Sequence, residues 1–200
     1  MTFITPIRNR VYTRNGSLVN ICSSCVGTCP DNAFPDVQEA TDSNDDQLYV
    51  GRNNSPNFSA GQGLYSDATT RTICKVGFFV STGAGNTSAK TYVVKIYTMT
   101  GDNLNAVITN GTSDVVTGFN SGTYTWVYFT WSGARPVMTG GTTYAFVLES
   151  TSAVDALNYI QAQAPLLTTI SGNKFGWDSS GVAQINSATY EMNIKIFWYD

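Results

Sequence analysis

The stretch Thr189-Tyr-Glu-Met-Asn-Ile-Lys-Ile-Phe-Trp-Tyr199 decides the fold. In an extended chain Tyr190, Met192, Ile194, Ile196 and Trp198 fall on one face, and Glu191, Asn193 and Lys195 on the other. A period of two predicts a strand with one face on a core and one toward water. Upstream, Arg71–Val80, Thr91–Met99, Thr123–Trp131 and Thr142–Glu149 share its β-branched and aromatic character. Glycine and asparagine turns such as Ser81-Thr-Gly-Ala-Gly-Asn86, Thr100-Gly-Asp-Asn103, Asn110-Gly-Thr112 and Ser171-Gly-Asn173 punctuate these runs. No stretch has a convincing helical period, and no repeat of solenoid or propeller length occurs. The expectation is an all-β chain: an antiparallel β-sandwich of the jelly-roll kind over residues 47–200, preceded by an extended N-terminal arm over residues 1–46.

Composition narrows the chemistry. The 200 residues are 12% charged, so the surface is uncharged-polar rather than ionic. There is no histidine, which removes Ser-His-Asp and Cys-His nucleophile systems and any His-ligated metal. No Gly-x-x-x-x-Gly-Lys-Ser/Thr loop is present, and sequence position pairs no two carboxylates in a glycosidase-like way. The expectation is a protein without enzymatic activity and without a required cofactor. A net charge of −3 gives no global basic field for nucleic acid. No run approaches the ~18 apolar residues of a membrane helix. The N-terminus, Met1-Thr-Phe-Ile-Thr-Pro-Ile-Arg8, lacks the pattern of a secretory leader, so synthesis and use in the cytoplasm, or release by lysis, is expected.

The charge is segregated. Residues 1–30 carry Arg8, Arg10 and Arg14 and no acid, whereas residues 31–46 carry Asp31, Asp36, Glu39, Asp42, Asp45 and Asp46 and no base. From residue 47 onward there are eight acids and eight bases. With Pro6, Pro30 and Pro35 and little periodicity, the front reads as an arm that docks on a partner through its arginines, or as a solvated tail followed by a polar loop. Asp42-Ser-Asn-Asp-Asp46 places oxygens at alternate positions but has Gln47 and Asn53 where a calcium loop needs Gly and Glu, leaving a looser calcium site or a solvated turn. Cys22, Cys25 and Cys29 cluster, with Cys74 far downstream. They are compatible with disulfides, a four-thiolate zinc site or free thiols; an iron–sulfur cluster lacks a fourth ligand at workable spacing.

The order of aromatic and turn positions supplies a resemblance. Lys75-Val-Gly-Phe-Phe-Val80, Val93-Val-Lys-Ile-Tyr97, Trp126-Val-Tyr-Phe129, Gly141-Thr-Thr-Tyr-Ala-Phe-Val-Leu148, Lys174-Phe-Gly-Trp-Asp178 and Met192-Asn-Ile-Lys-Ile-Phe197 follow one another along the chain. In this the chain resembles the jelly-roll, carbohydrate-binding-module-like domains of bacteriophage virion proteins and bacterial surface proteins. The resemblance covers about residues 47–200 and leaves the first 46 without a counterpart. It implies a non-catalytic display or binding module. Joined to the absence of a leader, it suggests a virion protein assembled in the host cytoplasm, either capsid decoration or cement, or a tail or fibre component, with other virion proteins as partners.

Two surface expectations remain. Tyr159, Gln161, Phe175, Trp177 and Asp178 form a candidate sugar site, since pyranose C–H groups pack on aromatic rings while amides and carboxylates take the hydroxyls; the alternative is that Trp177 caps the core. Such a site would make the protein a lectin-like reader of host-surface glycans. On Thr123–Trp131 both faces are aromatic, with Tyr124, Trp126 and Tyr128 opposite Val127, Phe129 and Trp131. A strand apolar on both sides is covered by another element or lies in a homo-oligomer interface.

Overall fold

In the computed structural model all five of these stretches carry strands, and none of the described residues is helical. The structure describes residues 11–12, 18–19, 33–34, 46–52, 59–164, 173–187 and 190–199. In chain order the strands are β1 (Val11–Tyr12), β2 (Leu18–Val19), β3 (Ala33–Phe34), β4 (Asp46–Val50), β5 (Ser59–Ser66), β6 (Arg71–Ala84), β7 (Thr91–Thr100) and β8 (Asn103–Thr112), then β9 (Val116–Thr117), β10 (Thr125–Thr130), β11 (Val137–Met138), β12 (Thr143–Ser150), β13 (Tyr159–Ala164), β14 (Asn173–Trp177), β15 (Ala183–Ser187) and β16 (Ile194–Tyr199).

Apart from the β1–β2 pair, these strands form two antiparallel sheets packed face to face, a β-sandwich. Sheet 1 is organised by the long strand β6. Val76 lies between Ile196 of β16 and Phe129 of β10, and Val80 lies between Ala162 of β13 and Thr125 of β10. Hence β16 and β13 run end to end along one side of β6, with β11 and β10 end to end along the other. Farther out, β3 pairs with β16 and β4 with β13. Sheet 2 runs β15-β14-β5-β12-β7-β8, with β9 also on β7. From β4 through β7 every connection changes sheet, which is the jelly-roll habit rather than that of a meander.

The core follows the alternation. Val76, Phe78 and Val80 of β6, Tyr92, Val94 and Ile96 of β7, and Tyr144, Phe146 and Leu148 of β12 meet Met192, Ile194, Ile196 and Trp198 between the sheets. Each of the fully buried Phe and Leu side chains contributes about 1.5–3 kcal/mol relative to exposure. The opposite face of the last stretch departs from expectation: Glu191 and Asn193 are 3% and 0% exposed rather than wet. The cause is the junction of β16 with β13. There Asn193 donates its N–H to the Gln163 carbonyl, accepts from the Phe79 N–H, and donates from Nδ2 to Gln163 Oε1.

Two observations concern the front of the chain. Ala33–Phe34 pairs with β16, so sheet 1 takes a strand from the stretch read as an arm. Cys74, buried on β6, is disulfide-bonded to a partner outside the described residues. A sulfur in a disulfide is not a thiolate, so in this structure Cys74 is not a ligand for the four-cysteine zinc site. Arg8, Arg10, Arg14, Cys22, Cys25, Cys29 and the acids from Asp31 to Asp45 lie outside the described residues.

Candidate functional site

The sugar set read from the sequence is divided between the two sheets. Tyr159 and Gln161 lie on the outer face of sheet 1, side by side over Gly83, where an added Cβ would meet the Tyr159 ring at 2.5 Å and Gln161 Cγ at 2.8 Å. Phe175, Trp177 and Asp178 belong to sheet 2 and the turn after it. Phe175 and Trp177 are both 0% exposed, which corrects the expectation of a stacking platform for a sugar. They stack on each other with ring centroids 5.1 Å apart and planes 9° apart.

These rings are buried because sheet 2 curls. Although β14 and β8 are separated in the sheet by β5, β12 and β7, Trp177 Nε1 donates to the Asp102 carbonyl at 3.0 Å. The Leu104 N–H donates to the Gly181 carbonyl at 3.0 Å, and the Ala183 N–H to Asn103 Oδ1 at 3.1 Å. The β7–β8 hairpin is thus latched to the β14–β15 turn. A second core forms in the hollow: Ala145, Val147, Phe175 and Trp177, with Leu64, Tyr97, Met99, Leu104 and Ala183 packed against them. Gly63 on β5 leaves space for the Phe175 ring, which a Cβ there would overlap.

Above this core opens a cleft of about 370 Å³, lined on one side by Lys95, Tyr97 and Glu149 and on the other by Asn105 and the turn Asp178–Gly181. Glu149 is its centre. Lys95 Nζ lies 2.7 Å from Glu149 Oε2, and the Tyr97 hydroxyl donates to Oε1 at 2.7 Å. Burial, then this hydrogen bond, then the Glu149 charge push the Tyr97 pKa up, so its hydroxyl stays protonated and donating. Asp178 is committed to its own turn. Its Oδ1 accepts from the Ser180 hydroxyl and from the Ser180 and Val182 N–H groups, and its Oδ2 accepts from Gln184 Nε2. Those bonds, the Ser180 hydroxyl foremost, hold its carboxyl below the usual aspartate range. Gly181 closes the turn at φ +80°, where a Cβ would also lie 3.1 Å from Leu104 Cβ.

Neither a family model, nor a curated protein, nor a solved structure corresponds to the chain.

The outer face of sheet 1 is built differently. Phe79, Tyr124, Trp126, Tyr128 and Phe197 form a run of ring contacts with successive centroids 5.2–6.4 Å apart, and Tyr49 meets Tyr159 edge-on at 5.1 Å. Rings lie flat across β6 because Gly77 has no side chain; a Cβ there would sit 2.8 Å from Tyr128 Cε1. Cations lie on the rings. Lys75 Nζ is 4.1 Å from the Phe197 centroid and 5.2 Å from that of Tyr128, Lys195 Nζ is 4.3 Å from that of Trp126, and the Arg52 guanidinium lies over Tyr49 and Tyr159. Sequence reading anticipated that both faces of β10 carry aromatic side chains but not the cleft. The signal for Lys95 and Tyr97 was their shared parity on Thr91–Met99, but only the curl brings the 178–181 turn over them.

Proposed function

We propose that this chain is a non-enzymatic structural protein of a bacteriophage virion, a capsid decoration or cement protein or a tail or fibre component. Its N-terminal region holds it among other virion proteins and further copies of itself, and its sandwich is displayed outward. The observation that supports this reading is the asymmetry of the outer faces: sheet 1 carries rings and cations, and sheet 2 a polar cleft whose carboxylates already hold donors. Large aromatic faces belong where a protein is covered, and polar concavities where it meets solvent. In the cleft both oxygens of Glu149 and of Asp178 already hold donors, which favours binding over proton transfer. The test is antibody labelling of phage particles with serum raised against the 178–182 turn. Labelling of intact particles is expected. Absence of the chain from both intact and disrupted particles overturns the reading.

The cleft supports a second reading, recognition of a host-surface glycan. Asn105, Glu149, the Ser179 and Ser180 hydroxyls and the Tyr97 ring edge offer the mixture of donors, acceptors and apolar surface that sugar hydroxyls and C–H groups require. A glycan array with the wild type, Asn105→Ala and Glu149→Gln tests it. Binding lost in both variants is expected, while no bound glycan, or binding indifferent to both substitutions, counts against it.

A further inference from the structure

Three of the cations seated on rings of sheet 1 share an unusual condition. Arg52, Lys75 and Lys195 rest on aromatic rings, and among the described residues none of their side chains has a carboxylate or hydrogen-bond partner. Arg52 Nε is buried with no acceptor. Elsewhere Lys95 is paired with Glu149, Lys90 with Asp155 and Arg71 with Asp67. With their undersides on rings, the exposed chemistry of the two lysines is ammonium, which fits an anion.

The chain contains such an anion at the edge of this face. The segment 35–45 carries Asp36, Glu39, Asp42 and Asp45 and no base. Its two ends are fixed by pairing: Phe34 lies opposite Ile196, which lies opposite Val76, and Asp46 lies opposite Ala164. Because Ala162 is opposite Val80, Ala164 is level with Phe78, so the two anchors are only about 7 Å apart along the sheet. Eleven residues span about 36 Å when extended, far more than that gap needs. The inner face is closed by the sandwich, leaving the outer face or solvent. Lys195 is one strand from the β3 edge and Lys75 two, about 5 and 10 Å away, so the segment can pass over both and return.

We propose that the acidic segment 35–45 docks in cis on the outer face of sheet 1, its carboxylates meeting the ring-seated ammonium groups of Lys75 and Lys195. This goes beyond the virion reading and stands or falls apart from it. Zero-length carbodiimide cross-linking of the full-length chain, followed by peptide mapping of the monomer, tests it, with the 2.7 Å Lys95–Glu149 pair as an internal control. The expected products join Lys75 or Lys195 to Asp36, Glu39, Asp42 or Asp45. They are expected to be lost at 1 M salt, where the Debye length is about 3 Å, and in Lys75→Gln/Lys195→Gln, in which the control link confirms folding. The proposal is overturned if the control pair links while the segment does not, or if the segment links only between copies. Either result leaves particle labelling to decide the virion role.

Discussion

The outer faces of the two sheets use one device to opposite ends. On each, a strand glycine lets an aromatic ring lie flat across the backbone: Gly63 beneath Phe175 in sheet 2, Gly77 beneath Tyr128 in sheet 1. In sheet 2 the sheet curls over its rings, which become a second core at 0% exposure and the floor of a cleft. In sheet 1 Tyr128 is 41% exposed and the rings carry cations instead. The lesson is that ring-over-glycine packing does not itself say whether a face is interior or surface. The neighbouring charges do, the matched Lys95–Glu149 pair bordering the cleft and cations without a carboxylate partner the paved face.

Breaking the comparison is most severe at the sheet 2 rings. Trp177→Ala removes a fully buried indole and the latch to the Asp102 carbonyl, so a loss of about 3–5 kcal/mol is expected in denaturant unfolding. A change below about 1 kcal/mol, the size of an ordinary surface effect, would refute a second core. Trp126→Ala, on the partly exposed sheet 1 face, is expected to cost distinctly less, and equality of the two would erase the distinction between the faces.

Next comes Glu149→Gln, which leaves Lys95 without its ion partner and costs about 1–2 kcal/mol. Two of the three causes that raise the Tyr97 pKa, the hydrogen bond to the carboxylate and its charge, are removed or weakened, so Tyr97 is expected to ionise at lower pH than in the wild type. Ultraviolet titration of tyrosinate reads this directly; an unchanged titration would mean that burial alone sets the shift.

Lys195→Gln is smaller, about 0.5–1 kcal/mol, the worth of a partly exposed cation on an indole. A changed emission of Trp126 should accompany it. The smallest effect is one of pH. Because the folded state holds the Asp178 carboxyl below its ordinary value, its contribution is complete above the usual aspartate range and is lost as pH falls through the lowered value. The amides of Ser180 and Val182 should then lose hydrogen-exchange protection before the core strands do. Simultaneous loss would tie the turn to global unfolding.

Strand positions were legible because alternation is local. The buried faces of β6, β7, β12 and β16 follow from single residues such as Phe78, Ile96, Phe146 and Ile196 and their neighbours two places away. The paved face was half legible, since aromatics on both sides of β10 require a cover. Trp177 entered the sugar set because Gly176 and Asp178 beside it look like a turn; its burial agrees with the alternative that it packs in a core, which Phe175 and Trp177 at a spacing of two already signalled as one face of a strand. The cleft was not legible. Glu149 meets Tyr97 across a gap of 52 residues, and the turn after β14 covers them only through curvature, which no local pattern encodes.

The place of β16 beside β6 bears on biosynthesis. Along Thr72–Phe78 the central strand of sheet 1 takes its partner from residues 194–199, which follow every other described strand. While a nascent chain waits for them, β6 presents an open row of amides and carbonyls next to Val76 and Phe78. A ribosome stalled or a message cut before residue 194 would therefore release a chain with a sticky interior edge rather than a slightly shortened domain.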